Sequence, residues 1–374
     1  MKFSCLKENL LRGINLVGHL SLKTSSLPIL GNVLFKAEKN TLTLTTTNLE
    51  VGIYHEVRGK VEETGECLLP ARLLLDLAPL LPEDTIIINT TTEGLAIKAK
   101  NLNTTLRTAP ITDFPIIPTM DKPAYNLAVK TPQLTKALDK TGFAMGRVEQ
   151  RPQFGGALFV VDEQNKQTLT IAATDGYRLS EVVLLLDKPT KPFKLIVPAT
   201  TIHEIRRILS QDDISETFEI QATDNQINFA TEASQIISRL IDGEYPDYQP
   251  LFPAKPLTVC EVHKNDLLRA IKAASLFSRA GIFDVSFSAA PNQPLEISSE
   301  NANVGAHRTT VGVKCSGDKV FITANARYLL DGVSAVDGDT VKLLFTGADR
   351  PILIEPSKDD HVRFRHLVVP IKQS

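Results

Sequence analysis

Asp175, Tyr177, Arg178 and Ser180 sit within nine residues, in AATDGYRLS from Ala172 to Ser180. An acid, a phenol, a guanidinium and a hydroxyl this close together can line a site for binding or for proton transfer. Asp-Gly flanked by apolar and β-branched residues is equally a two-residue hairpin turn. Catalysis needs further groups at set spacings, and these are missing. There is no GxSxG and no Cys-His signature. There is no GxxxxGK followed by Ser or Thr, no GxGxxG and no HExxH. A glycan-acting repeat protein would need paired carboxylates in a cleft, and Asp175, Tyr177 and Arg178 have no spaced partner acid. The expectation is a binding protein, not an enzyme, with no cofactor and no metal.

The chain around this stretch is ordinary in composition. Its 374 residues suffice for two or three domains, and 43% apolar with 22% charged residues is typical of globular proteins. No apolar run approaches a membrane span. The opening MKFSCLKENLLRG has no apolar h-region, so no secretory signal is expected. Cys5, Cys67, Cys260 and Cys315 are widely scattered, which argues against a disulfide framework and for a reducing, cytoplasmic setting.

Self-comparison shows three copies of one plan. LKENLLRGINLVG, VKTPQLTKALDKTG and VHKNDLLRAIKAAS each carry a helix stripe: Leu10, Ile14 and Val17; Leu134, Leu138 and Thr141; Leu267, Ile271 and Ala274. TLTLTTTNLE, TLTIAATDGYRL and LEISSENANV read as alternating strands with a polar turn. CLLPARLLLDL, LIVPATTIHEI and FITANARYLLDG read as a strand running into a short helix, with Asp76, Glu204 and Asp331 in register. Proline-rich joints hold Pro115, Pro118 and Pro123, then Pro246, Pro250, Pro253 and Pro256. The expected domains are 1–124, 125–252 and 253–374. Each would be an α+β layer with two helices packed on antiparallel strands.

Basic charge gathers on the equivalent helices. Windows 7–23, 132–151 and 264–279 carry +2, +2 and +3 in a chain whose net charge is −2. Arg12, Lys136 and Arg269 coincide in the repeat register, and Lys23, Lys140, Arg147, Arg151 and Lys272 lie close by. A few Lys and Arg give weak, salt-sensitive phosphate contact without reading sequence. No base-reading module stands out, and aromatics are only 6%, too few for a stacking ladder. Weak contact with duplex DNA becomes useful when a ring holds the protein there topologically.

The chain resembles the bacterial DNA polymerase III β subunits, the sliding clamps. LPILGN, LLPAR, DFP, ATDGYRLS, LIDGEYPDY, NARYLLD and the terminal LVVPI carry the resemblance in order along the whole chain. It implies three domains of the DNA-clamp fold and a head-to-tail homodimeric ring with helices lining the channel. Leu106, Leu276 and Phe277 are the candidate dimer contacts. Duplex DNA, encircled without sequence specificity, would face the basic residues named above. The implied partners are the polymerase III α subunit, the clamp-loader δ subunit, and other polymerases and repair proteins, each docking a short linear motif. No membrane is involved.

The resemblance also implies a peptide pocket between the second and third domains. Carried over, it takes in Phe154, Thr174, Gly176, Tyr177, Arg178, Leu179, Pro246, Pro250, Leu251, Asn325, Tyr328, Leu367, Val368, Val369, Pro370 and Ile371. Two features depart from the family pattern. Phe154 stands where a smaller aliphatic is common, and IKQS ends the chain with Lys372 where Arg is common. The alternative from the residues alone is an interaction scaffold of the same fold that never encircles DNA.

Overall fold

The computed structural model describes residues 1–22, 27–115, 117, 120, 122–147, 151–211, 215–253, 255–358 and 362–372. They form two compact units: Met1–Thr131 with His203–Leu240, and Pro132–Ile202 with Ile241–Ser374. Six α-helices are described: α1 (Lys7–Gly18), α2 (Ala71–Leu77), α3 (Thr131–Gly142), α4 (Ala199–Leu209), α5 (Lys264–Ser275) and α6 (Ala326–Ala335). Every described strand pairing is antiparallel. The three expected stripes are the buried faces: Leu10, Ile14 and Val17 on α1, Leu134, Leu138 and Thr141 on α3, Leu267, Ile271 and Ala274 on α5. An apolar stripe of this width has to be removed from water, and the sheets are what cover it.

The first unit holds a five-stranded sheet and an eight-stranded one. In the larger sheet, Val51–Val57 pairs with Ser234–Arg239, with Val51 opposite Ser238 and His55 opposite Ser234. The second unit holds a nine-stranded sheet and a four-stranded one. There, Arg178–Leu185 pairs with Val362–Val368, with Arg178 opposite Val368 and Ser180 opposite His366. Sheets therefore run straight through the joints of the repeat. The repeat pattern shows strands but not what their edges do. An edge strand carries a row of unpaired backbone groups, and here strands of the neighbouring repeat satisfy them.

Two local features bear on the site. α6 lies against strand Val362–Val368 because Gly332 presents no side chain; a Cβ there would come within 2.2 Å of the His366 ring. The scattered cysteines include one close pair: Cys260 and Cys315 face each other across paired strands Thr258–His263 and Val313–Gly317, Cα–Cα 4.2 Å. Their separation of 55 residues hid the pairing. Cys5 and Cys67 are free and buried.

Candidate functional site

The turn in AATDGYRLS is built by its own side chains. Asp175 Oδ1 accepts from the backbone N–H of Tyr177 at 2.9 Å and of Arg178 at 3.0 Å. Thr174 Oγ1 accepts from the Gly176 N–H at 3.0 Å and donates to the Arg178 carbonyl at 2.6 Å. Gly176 takes φ 89°, a conformation open to glycine at no steric cost. The stretch is a hairpin, with Asp175, Gly176 and Tyr177 between the strands and not the two residues Asp-Gly alone, and the turn fixes where Arg178 and Leu179 point.

Arg178 is fully engaged. Its Nε donates to Asp175 at 3.0 Å, one terminal nitrogen to Asp331 at 2.5 Å and the other to the Phe143 carbonyl at 2.5 Å. Phe143 follows the last residue of α3, so the guanidinium closes that helix end. Its plane lies over the Tyr328 ring at 4.5 Å. Beneath it, Ser180 Oγ meets His366 Nδ1 at 2.7 Å in a fully buried pair. Burial, with the Arg178 charge adding to it, pushes His366 down to about 3. The neutral imidazole is a structural group here.

The opposite wall is the start of the second proline joint. Lys194 Nζ donates to the Tyr245 carbonyl at 3.1 Å, and a single 3-10 turn, Gln249–Leu251, follows Tyr248. Phe154, Tyr245, Tyr248 and Phe252 stand edge to face in a row, centroids 6.0, 6.4 and 6.1 Å apart. Edge-to-face rings gain from quadrupole contact as well as burial.

These walls enclose a cavity of about 230 Å³ within the second unit. Its surface is mainly apolar, from Phe154, Leu179, Tyr245, Pro246, Tyr248, Leu251, Pro351, Leu367 and Val369. Thr174, Gly176, Arg178, Arg151 and Asp247 supply its polar part. An apolar cavity of this size with a few fixed polar groups takes one or two large apolar side chains of a peptide. Among the described residues no cluster of His, Cys, Asp or Glu could hold a metal, and no helix is long and apolar enough to cross a membrane.

Three family models match the chain in tandem: the DNA polymerase III beta subunit N-terminal domain over residues 1–118, its central domain over 128–247 and its C-terminal domain over 249–372. The chain belongs to the DNA polymerase III beta subunit family, the beta sliding clamps. The Bacillus subtilis beta sliding clamp is 27% identical over 384 residues, and that of Pseudomonas aeruginosa 29% over 385, each covering 100% of both chains. The solved B. subtilis sliding clamp superposes with a TM-score of 0.92 at 26% identity, covering 100% of both chains. A P. aeruginosa sliding clamp bound to griselimycin gives 0.92 at 28%, again over 100% of both chains. The three-domain clamp fold that the resemblance implied is the fold of this chain.

The structure brings Phe154, Thr174, Gly176, Arg178, Leu179, Pro246, Leu251, Leu367 and Val369 together around the cavity. The other expected pocket residues do not line it. Tyr177 points outward, 61% exposed. Val368 is fully buried, because alternate residues of a strand face opposite sides. Asn325 caps α6, accepting from the N–H groups of Arg327 and Tyr328. Tyr328 acts through Arg178. Pro250 lies on the exposed side of the 3-10 turn. Pro370 and Ile371 run along strand Val320–Asn325, where the Ile371 N–H donates to the Thr323 carbonyl. Tyr245 and Tyr248 were missed as wall residues, although LIDGEYPDY was singled out. Two aromatics beside a proline joint were the available signal.

The basic residues need one firm correction. Lys140, expected to face DNA, is 5% exposed; its ammonium binds Asp337 at 2.7 Å and lies over the Phe364 ring. Burial lowers its pKa, against the opposing pull of Asp337. Lys136 also reaches Asp337, at 3.0 Å, with its side chain partly exposed. Arg151 stands at the cavity rim over Phe154, 5.4 Å from the centroid, and so belongs with the pocket. Arg147, Arg269 and Lys272 are exposed, Arg269 pairing with Asp266 one turn away, and Arg12 is half-buried. Lys23 lies outside the described residues. Of the dimer candidates, Leu276 is 72% exposed and Phe277 stacks on His307, while Leu106 is buried at the end of an edge strand.

Proposed function

We propose that this chain is a DNA polymerase processivity factor: a sliding clamp that encircles duplex DNA without reading sequence and tethers the replicative polymerase. The observation that carries the tethering is the apolar cavity behind the Thr174–Leu179 turn, walled by Leu367 and the Tyr245–Leu251 segment. Short linear motifs of the polymerase III α subunit, the clamp-loader δ subunit and other polymerases and repair proteins would each insert an apolar side chain there. The domains are 1–124, 125–252 and 253–374.

The ring is a head-to-tail homodimer acting in the cytoplasm. Strand Leu102–Leu106 ends the five-stranded sheet and Gly305–Val311 ends the four-stranded one, so each offers open backbone groups to a second copy. Leu276 adds exposed apolar surface on the third domain. Duplex contacts fall to Arg12, Lys136, Arg147, Arg269 and Lys272, as loose phosphate contacts that salt weakens. The test is retention on nicked circular DNA after loading with a cognate clamp loader and ATP. Retention on circles and loss on linearisation is expected; equal retention on both forms would overturn the ring.

A further inference from the structure

Glu181 is the most deeply buried carboxylate near the pocket, at 1% exposure, and it lines no part of the cavity. It sits on strand Arg178–Leu185, opposite Arg365 of strand Val362–Val368. Arg365 Nε donates to its Oε1 at 3.0 Å, and a second guanidinium nitrogen to the same oxygen. That leaves Oε2, which accepts from Tyr248 Oη at 2.8 Å and from Gln249 Nε2 at 2.9 Å. Arg365 in turn packs its guanidinium on the Phe252 ring at 3.6 Å.

Tyr248, Gln249 and Phe252 all lie on or beside one short turn. The Leu251 N–H donates to the Tyr248 carbonyl at 3.0 Å, and the Phe252 N–H to the Gln249 carbonyl at 3.1 Å. Tyr248 and Leu251, at its two ends, line the cavity. A buried carboxylate would be costly alone, and four donors satisfy it. Glu181 therefore joins the sheet floor to the 248–251 wall from behind, without lining the cavity. A 3-10 turn of three residues has little stability of its own, so something else must hold it.

We propose that Glu181 is a positioning residue for peptide binding: through Tyr248 and Gln249 it holds the 248–251 turn where a partner's apolar side chain needs its wall. The inference rests on the pocket reading above. A wall fixed before binding spares the ligand the entropy of ordering it.

The probe is a fluorescein-labelled synthetic peptide ending in Leu-Phe, titrated by fluorescence polarisation against the full chain. Tyr248→Phe removes one donor and keeps the ring, and is expected to weaken binding about five-fold with a modestly lowered melting temperature. Gln249→Ala, at an exposed position, is expected to weaken it about two-fold. Glu181→Gln is expected to weaken it most, about ten-fold or more. Should that variant fold poorly, the first two still decide the matter. Hydrogen exchange supplies the readout that a purely structural role would not move. The Leu251 and Phe252 amides should exchange faster in Tyr248→Phe while those of strand Thr168–Thr174 stay as protected as before. Binding by the wild type and equal binding by all three variants would overturn the role of Glu181 alone. No binding by the wild type would overturn the pocket reading and this inference with it.

Discussion

Leu49 and Gly176 occupy the same place in two copies of one turn. In the first, Asn48 Oδ1 accepts from the N–H groups of Glu50 at 3.0 Å and Val51 at 2.8 Å, as Asp175 does for Tyr177 and Arg178. Thr47 bonds Leu49 and Val51 as Thr174 bonds Gly176 and Arg178. The Arg239 N–H reaches the Glu50 carbonyl at 3.0 Å, and the Val369 N–H the Tyr177 carbonyl at 2.8 Å. Each frame borders a cleft, of about 290 Å³ in the first unit and about 230 Å³ in the second. The backbone is shared, so the side chains make the difference. Gly52 stands where Leu179 does, and Ile117 lies against it; a Cβ on Gly52 would be 2.6 Å from Ile117 Cγ2. Ile117 follows Pro115 by two residues, as Tyr248 follows Pro246. One cleft takes Ile117 of the chain's own joint into its wall and is rimmed by Glu50 and Arg239. The other is left open with an apolar floor.

The arginine that closes the repeat's first helix also differs in origin. In the first unit it is Arg207 of α4, which pairs with Glu204 at 2.9 Å and donates to the Asn15 and Leu16 carbonyls at the end of α1. In the second it is Arg178, on the turn itself, pairing with Asp331 and the Phe143 carbonyl. Both tie a helix end to the matching acid of the next helix, but only Arg178 lines a pocket. Arg178→Ala and Arg207→Ala should each cost about 3 kcal/mol, since each removes an ion pair and strands helix carbonyls. Urea midpoints at fixed protein concentration check this. Peptide affinity should fall at least ten-fold in Arg178→Ala and stay within two-fold in Arg207→Ala. Equal loss in both would break the distinction between a structural and a pocket arginine.

The same pair of residue types is buried in both sheets. His55 Nδ1 meets Ser234 Oγ at 2.8 Å, and His366 Nδ1 meets Ser180 Oγ at 2.7 Å, with His and Ser exchanged between the two strands. Burial, aided by the Arg12 charge, pushes His55 down to about 4; burial, aided by Arg178, pushes His366 down to about 3. A depressed histidine is neutral when folded and takes up a proton on unfolding, so stability is full above about 6.5 and falls as pH drops. Between pH 7 and 5 each should remove about 2 kcal/mol. Below pH 4 the His55 loss is complete, while that of His366 continues to about 3. Urea unfolding from pH 7 to pH 3 tests this: His366→Asn should flatten the curve to lower pH than His55→Asn does.

How much of this was legible in the sequence follows from what repeats and what does not. The stripes on α1, α3 and α5 were legible because one buried face imposes a period. The turn in AATDGYRLS was legible because Asp-Gly has few other uses. Lys140 was misread because charge per window says nothing about which side of a helix a residue faces. Tyr248 and Glu181 were invisible for another reason. Their contact joins residues 67 apart, and a buried acid looks like any surface acid until the strand facing it is known. The sheets running through the joints were unreadable for the same cause, since edge pairing depends on which open edges meet.

Gly52 gives a sharper probe of the cleft in the first unit. Gly52→Ala should push Ile117 aside and strain its link to Tyr54, whose hydroxyl donates to the Ile117 carbonyl at 3.1 Å. Overpacking of this kind costs about 1–3 kcal/mol. Peptide affinity should be unchanged, because the open cleft is untouched. Loss of affinity would mean the two clefts are coupled.

The smallest effect returns to the turn. Leu49 holds φ 76° and Gly176 φ 89°, so the same left-handed position carries a side chain in one copy and none in the other. A Cβ at Gly176 would have Phe154 Cε2 at 3.7 Å, ordinary contact, so the cost of Gly176→Ala is backbone strain alone, about 1 kcal/mol. Leu49→Gly releases similar strain but loosens the unfolded chain by about as much, so its stability should change by less than about 0.5 kcal/mol. Thermal unfolding of the two variants side by side decides it. A lowered midpoint in Gly176→Ala with no change in Leu49→Gly is expected. A loss in Leu49→Gly as large as that in Gly176→Ala would mean that Leu49, half-exposed beside its cleft, contributes packing of its own. The first cleft would then owe its wall to Leu49 as well as to Ile117.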